Sequence, residues 1–178
     1  MSGWRPGDRR PDSGSMLRVD QAGEYGATRI YAGQLAVLRP SSANAKLIQR
    51  MAAQEQRHLM RFDRLLAERK VRPTVLQPLW NVAGFALGAV TALISEEAAL
   101  ACTEAVETEI DRHYQQQLDS LGDSDRELSG DIAEFQAEEI EHRDTAIANG
   151  SGNAPGHPLM TAAIRAGCRV AIGLSKRI

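Results

Sequence analysis

Residues 136–144 read QAEEIEHRD, a run in which four acidic side chains surround one histidine. They belong to the segment 125–148, whose apolar residues recur every three or four positions, as on the buried face of a helix. Glu139 and His142 fall on that apolar face, whose other members are Leu128, Ile132, Phe135 and Ala146. Because a buried carboxylate without a partner is very costly, the pattern predicts a compensating positive charge nearby.

Two neighbouring glutamates of this run follow a different periodicity. Glu138 and Glu141 share a polar stripe with Asp131, Glu134 and Thr145. We therefore interpret Glu138 and Glu141 as solvated surface charges.

Other predicted helices carry inward-facing acids in the same way. Glu55 and His58 lie on the apolar face of the helix predicted for 43–70. Glu107 is flanked by apolar positions on the next helical region, and Glu24 lies at the inward end of the apolar face of the first helix. The order is a glutamate followed by Glu-x-x-His, then the same again, with similar separations of the two glutamates in each half.

This order is the one that a four-helix bundle needs to hold two metal ions. One glutamate comes from each of two helices, and Glu-x-x-His comes from each of the other two. The mixture of carboxylates and imidazoles suits iron or manganese better than zinc. The alternative is a buried Glu–Arg network in which Arg29 or Arg57 neutralises the acids.

The composition and the placement of Gly and Pro clusters favour a single all-α domain. The chain has 178 residues, 43% of them hydrophobic and only 4% aromatic, and no alternating strand pattern competes with the helical one. A disordered tail is predicted for 1–15, followed by one domain over 16–178. Gly and Pro clusters separate the predicted helical segments, which are 17–38, 43–70, 76–121, 125–148 and 159–177.

Charge is distributed unevenly along the chain, with the acids concentrated in 96–141. That pattern argues against a nucleic-acid binder with one basic face. The two cysteines, Cys102 and Cys168, form no pairing motif, which favours a reducing compartment with both thiols as small apolar side chains.

Residues 73–95 contain no charged side chain. They could span a membrane by length, but their Pro, Asn and Gly content favours a helix that lies at the membrane interface or forms the lip of a pocket. Alternatively, Gly84 and Gly88 could let two helices approach closely. The last segment, 159–177, is a basic amphipathic helix without acids; it is typical of a membrane surface, with ordinary packing as the alternative.

Several stretches of the chain strongly resemble the demethoxyubiquinone hydroxylase family, from Leu17 to the C-terminus. They are LRVDQAGEYGATRIYAGQLAVL (17–38), QEQRHLMRF (54–62), VRPTVLQPLWNVAGFALGA (71–89), CTEAVE (102–107), EEIEH (138–142) and AGCRVAIGLS (166–175). The resemblance implies a ferritin-like bundle with two iron ions per chain and additional hydrophobic helices. It places the family's ligands on Glu24, Glu55, His58, Glu107, Glu139 and His142. Glu24 with His58, and Glu107 with His142, would be terminal ligands, and Glu55 and Glu139 would bridge the irons.

The activity implied by this resemblance is hydroxylation, with O2, of the ring of a demethoxy-quinol that carries a polyprenyl tail. Residues 75–94 and 159–174 are the candidates for its hydrophobic entrance. The resemblance also implies a peripheral membrane protein. Because the first fifteen residues are short for a mitochondrial transit peptide and carry aspartates, we expect the cytoplasmic face of a bacterial membrane, with the matrix face of the mitochondrial inner membrane as the alternative. A lipid-binding partner protein of the ubiquinone pathway and a homo-oligomer are further expectations.

Electrons must come from outside the chain, since no Gly-rich dinucleotide fingerprint follows a strand. NADH at the surface and delivery through the quinone are both open. Tyr114 and His113 are candidate relay residues, and Arg169 or Arg177 is a candidate site for an anionic donor.

Two other functions compete with the hydroxylase. A ferritin-like storage protein would share the metal ligands, although the uncharged residues 73–95 fit a soluble shell badly. A lipid-chaperone bundle would use its buried acids only structurally, and would contain no iron.

Overall fold

The computed structural model describes residues 12–178, and this part of the chain is helical without any strand. Its helices are α1 (Ser13–Val37), α2 (Ala43–Glu68), α3 (Gln77–Ile94), α4 (Glu96–Leu121), α5 (Arg126–Ala148) and α6 (His157–Ser175), with a short 3₁₀ turn at Ser151–Asn153. Most of the tail predicted for 1–15 lies outside the described residues, but Ser13 and Ser15 already belong to α1. The predicted all-α class is confirmed.

Polar side chains determine where several helices begin. Asp12, Ser42 and Asp125 each accept a hydrogen bond from a backbone N–H in the first turn of α1, α2 and α5. Ser95 does the same for α4 from an extended backbone conformation. The helical region predicted over 76–121 is therefore two helices, because Ser95 ends α3 and caps α4.

Helices α1, α2, α4 and α5 form the four-helix bundle, with apolar clusters on both sides of a central polar layer. One cluster includes Leu17, Phe62 and Ile132, and the other includes Ile48 and Leu100. Arginines of α2 bridge the seam to acids of α5, among them Arg61 with Asp131 at 2.7 Å.

The apolar face predicted for α5 is confirmed position by position. Its buried residues are Leu128, Ile132, Phe135, Glu139, His142 and Ala146, the six that the periodicity selects. Both cysteines are free, and burial raises the pKa of each thiol to about 12. They therefore behave as the small apolar side chains that the sequence predicts.

Helix α3 packs on α1 at a distance that only glycine permits, in agreement with the alternative given for Gly84 and Gly88 in the sequence analysis. A Cβ on Gly88 would lie 1.9 Å from the carbonyl oxygen of Ile30. A Cβ on Gly33 of α1 would lie 2.1 Å from the carbonyl oxygen of Phe85. The two helices thus meet backbone to backbone, as small residues allow.

The opposite face of α3 is apolar and exposed. Val82 is 68% and Leu93 72% exposed. Within residues 12–178, α3 is the one helix long and apolar enough to cross a membrane, by length and composition alone. Since only 22% of its residues are buried, α3 is not a core helix, and its outer face is a surface that favours an apolar environment.

Helix α6 packs on α4 through an apolar cluster that includes Val106 and Ile164, and polar contacts add to this packing. At its start, Nε2 of His157 lies 2.9 Å from Glu104, which also accepts a hydrogen bond from Ser151. His157 is therefore part of a local polar cluster. Further along, the buried carboxylate of Glu109 accepts hydrogen bonds from Arg165 at 2.7 Å and Arg169 at 2.8 Å.

We expect Gly88→Ala to lower the free energy of unfolding by roughly 3 kcal/mol, because the added methyl group must push two helix backbones apart. The matched control is Gly130→Ala on α5, where a Cβ meets nothing within 4 Å. That change should instead stabilise by about 0.5–1 kcal/mol through helix propensity. Urea unfolding of both variants measures the difference, and equal stabilities would contradict the close α1–α3 packing.

Candidate metal centre

All six side chains selected by the sequence lie together in the polar layer of the bundle. Each is at most 2% exposed. The glutamates that stand alone come from α1 and α4, and the two Glu-x-x-His motifs come from α2 and α5. The residues are Glu24, Glu55, His58, Glu107, Glu139 and His142.

The six form two overlapping groups, each with ligand atoms within 4.8 Å of one another. Glu24 and His58 belong to the first group, and Glu107 and His142 to the second. Glu55 and Glu139 belong to both groups. A donor set of this kind offers two adjacent positions that share two carboxylates, which is the arrangement of a dinuclear site.

Several buried atoms of this layer have no hydrogen-bond partner and could therefore bind a metal ion. Among the described residues, no hydrogen-bond partner is found for one oxygen each of Glu24, Glu107 and Glu139. The same holds for both carboxylate oxygens of Glu55 and for Nδ1 of His58. The His58 nitrogen lies 3.0 Å from Glu139 but is misaligned for a hydrogen bond. Buried oxygen and nitrogen atoms that lack hydrogen-bond partners and converge on one region are expected where a cation binds.

The alternative of a buried Glu–Arg network is not what the structure shows. Arg57 pairs with Glu138 at 3.0 Å, and Arg29 lies over the ring of Phe85 at 5.3 Å. Within residues 12–178, the ion pairs of the central glutamates are with His58 and His142 only.

Both histidines present Nδ1 to the cluster and Nε2 to a partner outside it. Nε2 of His58 lies 2.9 Å from a carboxylate oxygen of Glu138, and Nε2 of His142 lies 3.0 Å from the side-chain oxygen of Gln54. Such partners fix the orientation of a ligating imidazole. The prediction that Glu138 is a solvated surface charge is therefore wrong. Its side chain is only 22% exposed and contacts His58, because Glu138 lies in the interface between α2 and α5.

The sequence contains a pattern that could have identified Gln54 and Glu138 as partners of the histidines. Gln54 and Glu138 each stand four residues before a histidine and directly before a central glutamate. QEQRH at 54–58 and EEIEH at 138–142 are thus two copies of one pattern. In each copy the first residue supports the histidine of the other copy.

Two tyrosines hold Glu24 and Glu107 in a similar way, each binding the glutamate of the other helix. The Tyr31 hydroxyl of α1 donates to Glu107 at 2.7 Å, and the Tyr114 hydroxyl of α4 donates to Glu24. Each tyrosine follows the glutamate of its own helix by seven residues and binds the glutamate of the other helix. Burial, with the nearby carboxylates, raises the pKa of both phenols well above the usual value, so both remain donors at neutral pH.

The protonation of the cluster follows from burial and crowding. Burial first, and the charge of Glu139 second, raise the pKa of Glu55 and Glu107 well above the usual value. Burial alone would lower the pKa of His58, but contact with Glu139 and Glu24 outweighs it and raises that pKa to about 10. Burial would raise the pKa of Glu139, but His142 and His58 lower it to about 2. The binding of metal must therefore displace protons.

The other predicted site residues lie at varied distances from this layer. Nε2 of His113 lies 2.8 Å from the amide of Gln117 and 3.5 Å from Asp20, so it belongs to a separate polar group at the end of the cluster. Arg169 forms an ion pair with Glu109 at 2.8 Å. Arg177 lies beyond the end of α6 and is exposed.

A cavity of about 490 Å³ lies beside the cluster, between α1, α3, α4 and α6. Its wall is apolar and rich in small residues, including Gly26, Ala83, Ile164 and Gly167. Trp80 lines it from α3. Both segments predicted as a hydrophobic entrance contribute to it. Its size and lining are those of a site for a mostly apolar small molecule.

A narrow cleft, too small for a water molecule, lies next to this cavity and is lined in part by Glu107. Ala27, Ile30 and Val106 line both spaces. Tyr31 and Glu107 line only the cleft, together with Thr103. An apolar molecule in the cavity would therefore face the ligand cluster through three shared apolar side chains.

The chain matches the family model described as "Ubiquinone biosynthesis protein COQ7" over residues 12–175. It is 54% identical over 175 residues to a Rhodospirillum rubrum protein named 3-demethoxyubiquinol 3-hydroxylase, covering 97% of this chain and 82% of the relative. It is 51% identical over 166 residues to the Rattus norvegicus NADPH-dependent 3-demethoxyubiquinone 3-hydroxylase, covering 91% and 76%. For the Saccharomyces cerevisiae 5-demethoxyubiquinone hydroxylase the identity is 44% over 179 residues, covering 92% and 77%.

Addition of Fe(II) or Mn(II) to chelator-treated protein should raise the midpoint temperature of thermal unfolding by roughly 5–15 °C at saturation. The reason is that the metal ion binds carboxylates that are buried together only in the native state. Glu139→Gln should lose most of this shift, whereas Glu141→Gln, an exposed acid of the same helix, should keep it. The affinity should fall as the pH falls, since His58, Glu55 and Glu107 must give up protons. An equal shift in both variants would contradict the site.

We expect Glu138→Ala to weaken metal binding by about 10- to 100-fold, because His58 loses the acceptor that orients its ring. Glu134→Ala, on the outer stripe of α5, is the control and should bind as the unmodified chain does. Competition with a chromogenic chelator measures both affinities. Equal affinities would show that the Glu138–His58 contact does not support the site.

Proposed function

The chain belongs to the COQ7 family of ubiquinone biosynthesis proteins, and we propose that it hydroxylates the ring of a polyprenylated demethoxyubiquinol with O2 at a pair of iron ions. Its relatives at about half identity are named as hydroxylases of this ring, and the chain covers most of their length. The chain is therefore an enzyme of the hydroxylase class rather than a storage shell or a passive lipid carrier.

The observation that carries the proposal is the set of buried, unpartnered donor atoms at the centre of the bundle. We assign Glu24, His58 and Glu107, His142 as the terminal ligands of the two irons. Glu55 and Glu139 belong to both groups, so they would be the ligands shared by both irons. When bound, two ferrous ions would supply two of the four electrons that reduce O2, and the ring C–H bond would supply the other two, so that one oxygen atom enters the ring and the other leaves as water.

The protein contributes orientation and the exclusion of water. Glu138 and Gln54 fix the two imidazole rings from outside, and Tyr31 and Tyr114 hold the two terminal carboxylates. None of these contacts depends on a loop, because all of the residues lie on helices of the bundle. Because packed helices fix these residues, the ligand atoms stay in place when the ligands lose protons and bind metal.

The cavity between α1, α3, α4 and α6 is the proposed site for the substrate. Its apolar wall suits an isoprenoid tail, and its small side chains leave width for a substituted ring. The shared residues Ala27, Ile30 and Val106 direct the ring toward Glu107. Ile30 and Val106 are the side chains that must move as the ring enters.

We propose an external donor of electrons, a reduced nicotinamide dinucleotide, since the rat relative is named NADPH-dependent. Arg169 and Arg177 are candidates for its phosphates, although Arg169 is also tied to Glu109. Tyr114, which donates to Glu24, and His113 are candidate relay residues on the path inward. Delivery of electrons through the quinone itself is the alternative route.

The exposed apolar face of α3 and the basic helix α6 support peripheral attachment to a membrane. We place the chain on the cytoplasmic face of a bacterial membrane, with the matrix face of the mitochondrial inner membrane as the alternative. The same apolar face would suit a lipid-binding partner protein of the ubiquinone pathway, or a second copy of the chain in a homo-oligomer.

The test is single-turnover hydroxylation under ¹⁸O2 by iron-loaded protein, a chemical reductant and a short-tailed demethoxy-quinol. We expect one ¹⁸O atom in the ring of the product. Glu139→Gln should abolish the product, and Gly167→Leu should suppress it by filling the cavity while the iron content stays unchanged. Product that lacks the label, or full activity of Gly167→Leu, would contradict the proposed chemistry or the proposed cavity respectively.

A further inference from the structure

Thr103 carries a buried hydroxyl group that has no partner. Its side chain is 1% exposed, and within residues 12–178 no hydrogen-bond partner is found for Oγ1. The other two fully buried threonines are satisfied: Thr74 donates to the carbonyl oxygen of Ile178 at 2.6 Å, and Thr91 to that of Leu87 at 2.9 Å. Since a buried hydroxyl without a partner is destabilising, Thr103 requires an explanation.

The usual partner of a helical threonine is occupied here. On the same helix, Thr108 donates to the carbonyl oxygen of Glu104, four residues earlier. The equivalent acceptor for Thr103 is the carbonyl of Ala99. That oxygen already accepts from the side-chain amide of Gln34 at 2.9 Å, in addition to its helical N–H. The buried side chain of Gln34 therefore leaves the Thr103 hydroxyl free.

Thr103 lines the cleft beside the cavity, together with Glu107 of the ligand cluster. Thr103 stands one helical turn before Glu107, and both line this cleft with Tyr31. The cleft is too narrow to hold a water molecule, so water does not satisfy the hydroxyl. Ile30 and Val106 line both the cavity and this cleft, so a change in the position of either side chain would widen the passage to Thr103.

We propose that Thr103 positions the substrate ring, by donating a hydrogen bond to a ring oxygen of the demethoxy-quinol once the ring has displaced these side chains. The inference rests on the proposed function and extends it. The apolar cavity holds the tail without directional contacts, and Thr103 supplies the one polar contact that fixes which ring carbon faces the carboxylates. The hydroxyl that destabilises the protein without substrate thus contributes to the recognition of the ring.

The test separates binding of the ring from binding of the tail. The probe is a demethoxy-benzoquinone with a short isoprenoid tail, whose binding quenches the fluorescence of Trp80 in the cavity wall. The full iron-loaded chain carries Trp4→Phe, so that Trp80 is its single tryptophan. Displacement of the probe by an isoprenoid alcohol of the same tail length reports the affinity for the tail alone.

Thr103→Val should raise the Kd of the probe about fivefold to tenfold and leave that of the alcohol unchanged. It should also raise the thermal midpoint by about 2–4 °C, because a methyl group replaces an unsatisfied hydroxyl. Thr103→Ser keeps the hydroxyl and should bind the probe within about twofold of the unmodified chain. The control Thr91→Val removes a satisfied buried hydroxyl away from the cavity, and should lower the midpoint without a change in either Kd.

Unchanged affinity of Thr103→Val for the probe, or an equal loss for the probe and the alcohol, would overturn the proposal. If Thr103→Val does not fold, Thr103→Ser and Thr103→Ala form the comparison. A difference between them in probe affinity supports the role, and equal affinities overturn it. If the unmodified chain with its iron does not bind the probe at all, the proposed substrate is wrong, and the role of Thr103 fails with it.

Discussion

Four carboxylates and two imidazoles, buried between two apolar clusters, are the constraint on which the rest of this structure depends. Two imidazoles cannot neutralise four carboxylates, and no arginine reaches the cluster within residues 12–178. Burial and the charge of Glu139 raise the pKa of Glu55 and Glu107, and several carboxylate oxygens of the cluster have no hydrogen-bond partner. Two divalent cations would satisfy the same atoms and match the charge, which is why the fold is better understood as a metal-binding scaffold than as an ordinary helical core.

The supporting contacts repeat with an approximate twofold relation between the two halves of the bundle. Each histidine is held by a residue of the other Glu-x-x-His helix, and each lone glutamate by a tyrosine of the other lone-glutamate helix. Such an exchange ties all four helices to the same centre. The symmetry is broken by α3 and α6, which cover one side only and enclose the apolar cavity there. A symmetric ligand cluster with an apolar cavity on one side is suited to a reaction in which a bulky apolar substrate approaches from a single direction.

The sequence was sufficient for the helical class and for the six central side chains, because burial on a single helix is visible as periodicity. It misassigned Glu138, whose environment depends on how α2 faces α5, and it joined α3 to α4, since the capping by Ser95 interrupts an otherwise continuous pattern. The free hydroxyl of Thr103 could not be predicted either. It results from the contact of Gln34 with the Ala99 carbonyl, 65 positions away in the chain, and such contacts leave no local pattern.

The most direct test of the central claim is the anomalous scattering of iron in crystals of the iron-loaded protein. We predict two peaks about 3.5–4 Å apart, between the carboxylates of Glu55 and Glu139. Glu24 and His58 should bind one ion, and Glu107 and His142 the other. A single peak, no peak in this layer, or iron held elsewhere on the chain would contradict the account.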